Sequence, residues 1–320
     1  MTLEAIRFIG ADELVGALGF AEATDALERA FRDFGPDVGP PRSHLAVPGG
    51  ELLLMPGFGS GGVGVKLVTL GHANPAAGLP FIHGVYVLFD PVTLAPTALI
   101  DGAGLTAIRT AAVSALATRH LARADARTLV IFGSGAQARA HVDAIRAVRP
   151  IEHVAIVGRD QLRAQRLVDE LRREGIEAVR AAADAVGRAD VVCTCTTSRT
   201  PLFPAAALAA GAHVNAIGAY RPDAREVAGE LVASALLVVE TRAAALHEAG
   251  DVLLAIADGT LARDAVRHEL AAVVRGEVRR SDDRQVTLFK SVGLALEDLA
   301  IAIAAAEQLD GPGDGRRSLV

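Results

Sequence analysis

The segment VIFGSGAQARAH, residues 130–141, limits what this 320-residue chain can fold into more than any other stretch. An apolar run, TLVIF, leads into Gly133-Ser134-Gly135-Ala136-Gln137-Ala138, and a helical pattern follows. This is G-x-G-x-x-A placed between a strand and a helix. The first glycine permits a tight turn, the second lets the backbone approach a pyrophosphate, and the small Ala138 lets helix and strand pack closely. The helix N-terminus then offers free N–H groups and the positive dipole end to the phosphates. Behind the loop, the apolar runs HVAIVG, IEAVRA, DVVCTC, AHVNAIG and LLVVE alternate with helical segments such as Gln161–Arg173. Such unbroken runs mark strands buried on both faces of a parallel sheet covered by helices. The expected class is α/β, a Rossmann doubly wound parallel sheet. A methyltransferase-type Rossmann domain is the competing reading of the loop.

The end of the second strand selects the dinucleotide. NAD enzymes usually carry Asp or Glu there, on the ribose 2′-OH. Here the strand ends at Gly158-Arg159, and Arg163 and Arg166 follow at helical spacing. Arginines match a 2′-phosphate, so NADP(H) is the preferred cofactor. Asp160, one place later, keeps NAD(H) as the alternative.

Composition excludes several classes. Hydrophobic residues make up 51% and charged residues 22%, enough apolar surface for a sizeable core. Net charge is −6, and no basic cluster interleaves with aromatics, so nucleic acid is not an expected partner. No apolar run reaches the ~18 residues of a membrane helix. The opening MTLEAIRFIGADEL lacks the pattern of a signal peptide. Cys193 and Cys195 have neither metal nor CxxC spacing and read as small buried hydrophobes. A reducing cytoplasm and the absence of a metal site are the expectations.

The residues before Arg127 precede the β–α alternation. Two helices open them, the second about 21–34 with Leu27, Ala30, Phe31 and Phe34 on one face; GPDVGPP (35–41) breaks it. RSHLAV, ELLLM, VGVKLVTL, FIHGVYVLFD and PTALID read as a mostly antiparallel sheet. A long helix covers about 105–121, a last helix about 293–309, and the tail beyond it reads as mobile. Three cations are conspicuous here. Lys66 is one of only two lysines among 32 basic residues, the other being Lys290. A lysine surviving such an arginine bias offers a compact charge with a tunable pKa. Arg109 lies in the small, apolar helix LTAIRTAAVSALA with no carboxylate three or four residues away. Buried, it needs an anion: a cofactor phosphate, a substrate carboxylate, or a distant acidic residue. With Arg42, after a PP pair, these cations suggest convergence on one anionic ligand.

The segments PPRSHL, LLLMPG, GVKLVT, VLFDP, LIDGAGLTAIRTAAVSA, GSGAQA, VNAIGAYRPDARE, AAALHEAGDVL and VTLFKSVGLALED together resemble the ornithine cyclodeaminase/mu-crystallin family over nearly the whole chain. The resemblance implies a homodimer. It implies an α+β substrate-binding and dimerisation domain from 1–120 and 290–320, with the Rossmann domain inserted at 121–289. It also implies that Arg42, Lys66 and Arg109 hold a substrate α-carboxylate beside the nicotinamide, with Met55 in the substrate-binding segment. By position in the matching motifs, Arg109, Thr110, Gly133, Ser134, Gly135, Ala136, Gln137, Arg159, Thr196, Ser291 and Val292 are the expected cofactor neighbours.

Departures from the family pattern redirect the chemistry. Cyclodeaminases and the related archaeal alanine dehydrogenases carry an acid/base Asp where this chain has Tyr220, and cyclodeaminases carry Glu where it has Leu53. Tyrosine cannot replace an ionised carboxylate at neutral pH. RPDARE and EAGDVL resemble the mu-crystallin-like ketimine reductases instead. The expected activity is NAD(P)H-dependent reduction of the C=N bond of a small α-imino acid, or the reverse oxidation of an amino acid. Lys66, Asp223 and Tyr220 are the candidate catalytic residues, His83 a further acid, and the role of Lys290 stays open. Ornithine cyclodeaminase or alanine dehydrogenase-type deamination, and non-catalytic NADP(H)-dependent ligand sequestration, are the alternatives.

Overall fold

The computed structural model describes residues 6–33, 42–59 and 61–310. The expected break at 35–41, the placing of Phe34 on a helix face, the first five residues and the tail beyond Asp310 lie outside these. The chain divides into two compact units, Met1–Arg109 with Leu294–Val320, and Thr110–Gly293. Among the described residues no helix is long and apolar enough to cross a membrane.

In chain order the first unit begins with β1 (Arg7–Ile9), α1 (Ala11–Ala17), α2 (Phe20–Arg32), β2 (Ser43–Val47), β3 (Gly50–Gly59), β4 (Gly62–Gly71), β5 (Ile82–Phe89), β6 (Pro96–Asp101) and the start of α3 (Gly102–Leu121). The second unit follows with β7 (Thr128–Phe132), α4 (Ala136–Val148), β8 (His153–Val157), α5 (Gln161–Arg173), β9 (Glu177–Arg180), β10 (Val191–Thr194) and β11 (His213–Ala216). It continues through α6 (Gly229–Ser234), β12 (Leu236–Val239), α7 (Arg242–Glu248), α8 (Gly250–Ala257), β13 (His268–Glu269), α9 (Leu270–Val274) and β14 (Thr287–Lys290). The last helix, α10 (Ala295–Asp310), belongs to the first unit again.

The first unit holds a sheet in the order β1-β6-β5-β4-β3-β2. Four of its pairings are antiparallel, as the alternating strands predict; β1 instead pairs in parallel with β6. Three residues are too few to show a period, so β1 left no sequence signal. Side chains alternate across a pleat, and one face is buried: Leu53 and Met55 on β3, Val68 and Leu70 on β4, Tyr86 and Leu88 on β5. α10 packs against β3, β4 and α2. α2 contributes Ala23, Thr24, Ala26, Leu27 and Phe31 as its buried stripe, the 3.6-residue period of an amphipathic helix.

The second unit holds a sheet in the order β13-β12-β14-β11-β10-β7-β8-β9, every pairing parallel. Leu129, Val130, Ile131 and Phe132 are all buried, as a strand covered on both faces requires. β14 lies between β11 and β12, an insertion that the sequence order of the strands does not announce. The unit boundary falls inside α3, against the expected 120/121. From Thr110 onward its polar groups bond within the second unit: Ser114 Oγ lies 2.9 Å from His141 Nε2, and Thr118 Oγ1 accepts from Asn215 Nδ2 at 2.9 Å. Burial pushes the Cys193 thiol up to about 12, so it stays an inert thiol in the core.

Two buried histidines tie this unit together. His141 bonds the carbonyl of Gln137 and Ser114; His213 bonds Thr287 and Asn215. Burial lowers their pKa values from 6.5 to about 4 and about 3. Between pH 6.5 and those values the unfolded chain binds protons that the folded chain refuses, so stability falls as pH falls. Calorimetric melting should show this loss starting near pH 6.5 and growing by about 1.4 kcal/mol per pH unit for each histidine. A melting temperature that is level from pH 7 to 5 would contradict it.

Candidate active site

In the first unit, Met55, Lys66, Tyr86 and Ile100 stand directly opposite one another across β3, β4, β5 and β6. All four are buried, so Lys66 places an ammonium in an otherwise apolar row. A buried charge persists only if it is paired. Lys66 Nζ donates to Asp298 Oδ1 of α10 at 2.7 Å. Arg109 Nη1 donates to Glu297 Oε2 at 3.1 Å, and its Nε lies 3.4 Å from Asp298 Oδ1. Arg42, half-buried, is near enough to repel the Lys66 ammonium. Burial lowers the pKa of Lys66 to about 8; Asp298 opposes that shift, and Arg109 and Arg42 add to it.

Arg42, Lys66 and Arg109 thus gather near the carboxylates of Glu297 and Asp298. The distant acidic partner weighed for Arg109 exists, as Glu297 and Asp298. Tyr86 is fully buried, its hydroxyl has no hydrogen-bond partner among the described residues, and burial and Asp298 raise its pKa, keeping it protonated. Leu53 is buried on the face of Met55, with no carboxylate in its place. His83 is exposed on the face of β5 opposite to Tyr86.

In the second unit the strand order reverses its direction of growth between β7 and β10. Ligands of open α/β sheets bind at the carboxyl ends of the strands at such a switch point. Gly133 follows β7 with φ +115°, a value open to glycine and few others. A Cβ there would lie 2.5 Å from the carbonyl oxygen of Cys195, so the turns after β7 and β10 touch. At Gly135 an added Cβ would meet nothing within 4 Å, and no side chain caps the start of α4 at Ala136 and Gln137. By contrast, Asp160 caps α5 and Thr241 caps α7. A bare backbone with an uncapped helix N-terminus fits a dinucleotide pyrophosphate.

Ser134, Arg159, Thr196, Tyr220, Ser291 and Val292 follow β7, β8, β10, β11 and β14, so parallel pairing brings all of them to this edge. Their donors are partly committed. The N–H and hydroxyl of Thr196 both donate to Glu226, while the Ser291 hydroxyl and the Val292 N–H donate to Glu240. Thr110 is buried at the start of the second unit. Asp223 is exposed and pairs with Arg199 and Arg221, which hold its carboxyl below the usual range and leave it ionised. Glu297, Asp298, Glu226, Asp251 and Glu240 are buried acids that sequence reasoning did not select. The adjacent acids Glu297 and Asp298, heading an otherwise apolar helix, were the available signal. Among the described residues no group of three or more His, Cys, Asp or Glu is placed to hold a metal ion.

Comparison with known proteins agrees with this architecture. The profile of the ornithine cyclodeaminase/mu-crystallin family matches residues 10–312. A Delta(1)-pyrroline-2-carboxylate reductase of Bacillus cereus (strain ATCC 10987 / NRS 248) is 35% identical over 320 residues, 97% of this chain and 98% of the relative. The structure of Thermococcus litoralis Delta(1)-pyrroline-2-carboxylate reductase in complex with NADH and L-proline is similar with TM-score 0.89 and 34% identity, over 95% of this chain and 97% of that one. An archaeal alanine dehydrogenase dimer with bound NAD reaches TM-score 0.89 and 31% identity over 95% of each chain. With its alternating strands, glycine loop and paired cations matched along nearly its whole length, the chain belongs to the ornithine cyclodeaminase/mu-crystallin family.

Proposed function

We propose that the protein is an NAD(P)H-dependent oxidoreductase acting on the C=N bond of a small α-imino acid, or on the CH–NH bond of the corresponding amino acid. The observation that carries this reading is the gathering of three cations in one unit, with Lys66 buried beside Asp298 and within electrostatic reach of both Arg109 and Arg42. Such a group recognises one carboxylate through charge-assisted bonds. The bound dinucleotide would supply hydride. Gly133, Ser134, Gly135, Ala136 and Gln137 would hold its phosphates, with Thr196, Ser291 and Val292 farther along the same edge.

Lys66 has a second use. An ammonium with a pKa of about 8 is charged at pH 7 and sits near the range where a proton donor works best. It would hold the carboxylate and deliver a proton toward nitrogen. Asp223, exposed and ionised, is better suited to fix Arg199 and Arg221 than to donate a proton. Tyr220 remains a donor candidate, on the turn after β11. Leu53 and Tyr220 leave the cyclodeaminase carboxylates without counterparts, which favours imine reduction over loss of ammonia from ornithine.

NADP(H) is the proposed preference. Arg159 is exposed and makes no ion pair among the described residues. The Asp160 carboxylate is engaged, accepting from the N–H groups of Leu162 and Arg163 and pairing with the Arg163 guanidinium. We also infer a homodimer. The exposed apolar residues Leu45, Phe58, Leu79, Val92 and Leu94 of the first unit support it, as does the outer edge of β2, which pairs with no further strand among the described residues.

Purified protein should oxidise NADPH in the presence of Δ1-pyrroline-2-carboxylate, followed by nicotinamide absorbance. Faster production of proline and ammonia from ornithine would overturn the reading. Arg159→Ala should raise the KM for NADPH about tenfold, a loss of one charge-assisted contact, and leave NADH unchanged; an equal loss for both removes the 2′-phosphate assignment. Because Lys66 acts as the ammonium, kcat/KM for the imino acid should fall above about pH 8. Asp298→Asn removes the charge that holds the ammonium pKa up, so it should move that alkaline limb to lower pH. An unmoved limb would assign the titration to another group.

A further inference from the structure

Lys290 ends β14, is 2% exposed, and has no part in the chemistry above. A buried ammonium needs acceptors on all sides it presents. It finds them in a closed ring. Lys290 Nζ donates to the carbonyl of Ala219. The Ala219 N–H donates to Glu226 Oε2 at 3.2 Å. The Glu226 N–H donates to Asp251 Oδ1 at 2.7 Å. Asp251 Oδ2 lies 2.8 Å from Lys290 Nζ, and the ring closes. All four residues are buried. Both backbone polar groups of Ala219, the residue before Tyr220, are therefore held.

Glu226 extends the hold to the neighbouring turn. Its Oε2 also accepts from Thr194 Oγ1 at 2.8 Å and from the Gly218 N–H at 2.6 Å. Its Oε1 accepts the N–H and the hydroxyl of Thr196 at 2.8 and 2.6 Å. One carboxylate thus ties the turn after β10 to the turn after β11. The turns are in contact: a Cβ on Gly218 would lie 2.1 Å from the Thr196 carbonyl oxygen. Asp251 Oδ1 takes the Val227 N–H as well, at 2.9 Å. Lysine suits the ring's centre. It meets one carbonyl and one carboxylate oxygen from a compact charge, where a guanidinium fork would bring five donors in a plane. That accounts for a lysine here in a chain that otherwise uses arginine.

The position of the ring gives it a task. The second strand of a dinucleotide fold serves the adenosine ribose, here β8 with Arg159, and the phosphates sit at β7. The dinucleotide must then extend to the other side of β7, over the turns after β10 and β11. We propose that Lys290, Asp251 and Glu226 are positioning residues that set the turns at 195–198 and 217–220 in the shape that receives the nicotinamide end. The inference rests on the reading that this edge holds a dinucleotide.

The test compares two ligands on the full-length protein by titration calorimetry. ADP reports on the phosphate loop alone; NADH reports on both halves. Lys290→Met removes the ammonium at similar length, and Asp251→Asn keeps the acceptor for the Glu226 and Val227 N–H groups while removing the charge. In each variant the ADP affinity should stay within about twofold and the NADH affinity should fall about tenfold, the loss of one charged hydrogen bond. Equal weakening of both ligands, unchanged NADH binding, or loss of the folded circular-dichroism spectrum in both variants would each make the ring a general support and overturn the proposal. Failure of the unsubstituted protein to bind NADH refutes the dinucleotide reading itself, before the variants are compared.

Discussion

A lysine in the middle of an apolar row has to meet a carboxylate, and that requirement organises the first unit. Lys66 stands between Met55 and Tyr86 on the buried face of the sheet, and its partner Asp298 arrives 232 residues later on α10. An unpaired charge in such a place costs several kcal/mol, so α10 must dock in the one register that presents Asp298 to Lys66 and Glu297 to Arg109. The first unit is completed only by the chain's return. The same pairing brings Arg109 and Lys66 to one carboxylate, so the contacts that hold the helix also gather these cations.

The second unit solves a related problem with the charges reversed. Glu226 and Asp251 are buried acids answered by a single lysine, and Glu226 gathers backbone N–H groups and hydroxyls from two turns. A buried network joined by several hydrogen bonds and an ion pair restrains the turns it holds. The glycine loop works by the opposite principle. Gly135 and the start of α4 are left bare and uncapped, because the partner they suit is a phosphate rather than a side chain. One edge of one sheet therefore combines a clamped wall with an open cradle.

Much of this was legible in the residues. The strand, glycine turn and helix around 130–141 were readable because that turn demands particular residue types at fixed spacing. α5 was readable from its period and β7 to β12 from their apolar runs. β1 and β14 were not, since three or four residues show no period. Lys66 and Arg109 stood out as cations among apolar neighbours, but their partners did not: Asp298 lies 232 residues from Lys66 and Glu297 lies 188 from Arg109, beyond any local pattern. The donors of Thr196, Ser291 and Val292 point to Glu226 and Glu240, a commitment that spacing cannot express. Asp223 lies in a segment matching the family, yet its carboxylate is drawn to Arg199 and Arg221 at the surface.

The sequence by itself determined the α/β class, the glycine loop, the family and the prominence of Lys66 and Arg109 as cations among apolar neighbours, because these depend on local spacing and residue type. Tertiary structure alone decided which buried charges meet. It set the register that pairs Lys66 with Asp298 and the insertion of β14 beside β11 that places Lys290 under Ala219. Those depend on contacts between residues far apart in the chain, where burial makes each pairing nearly obligatory but no local pattern names the partner.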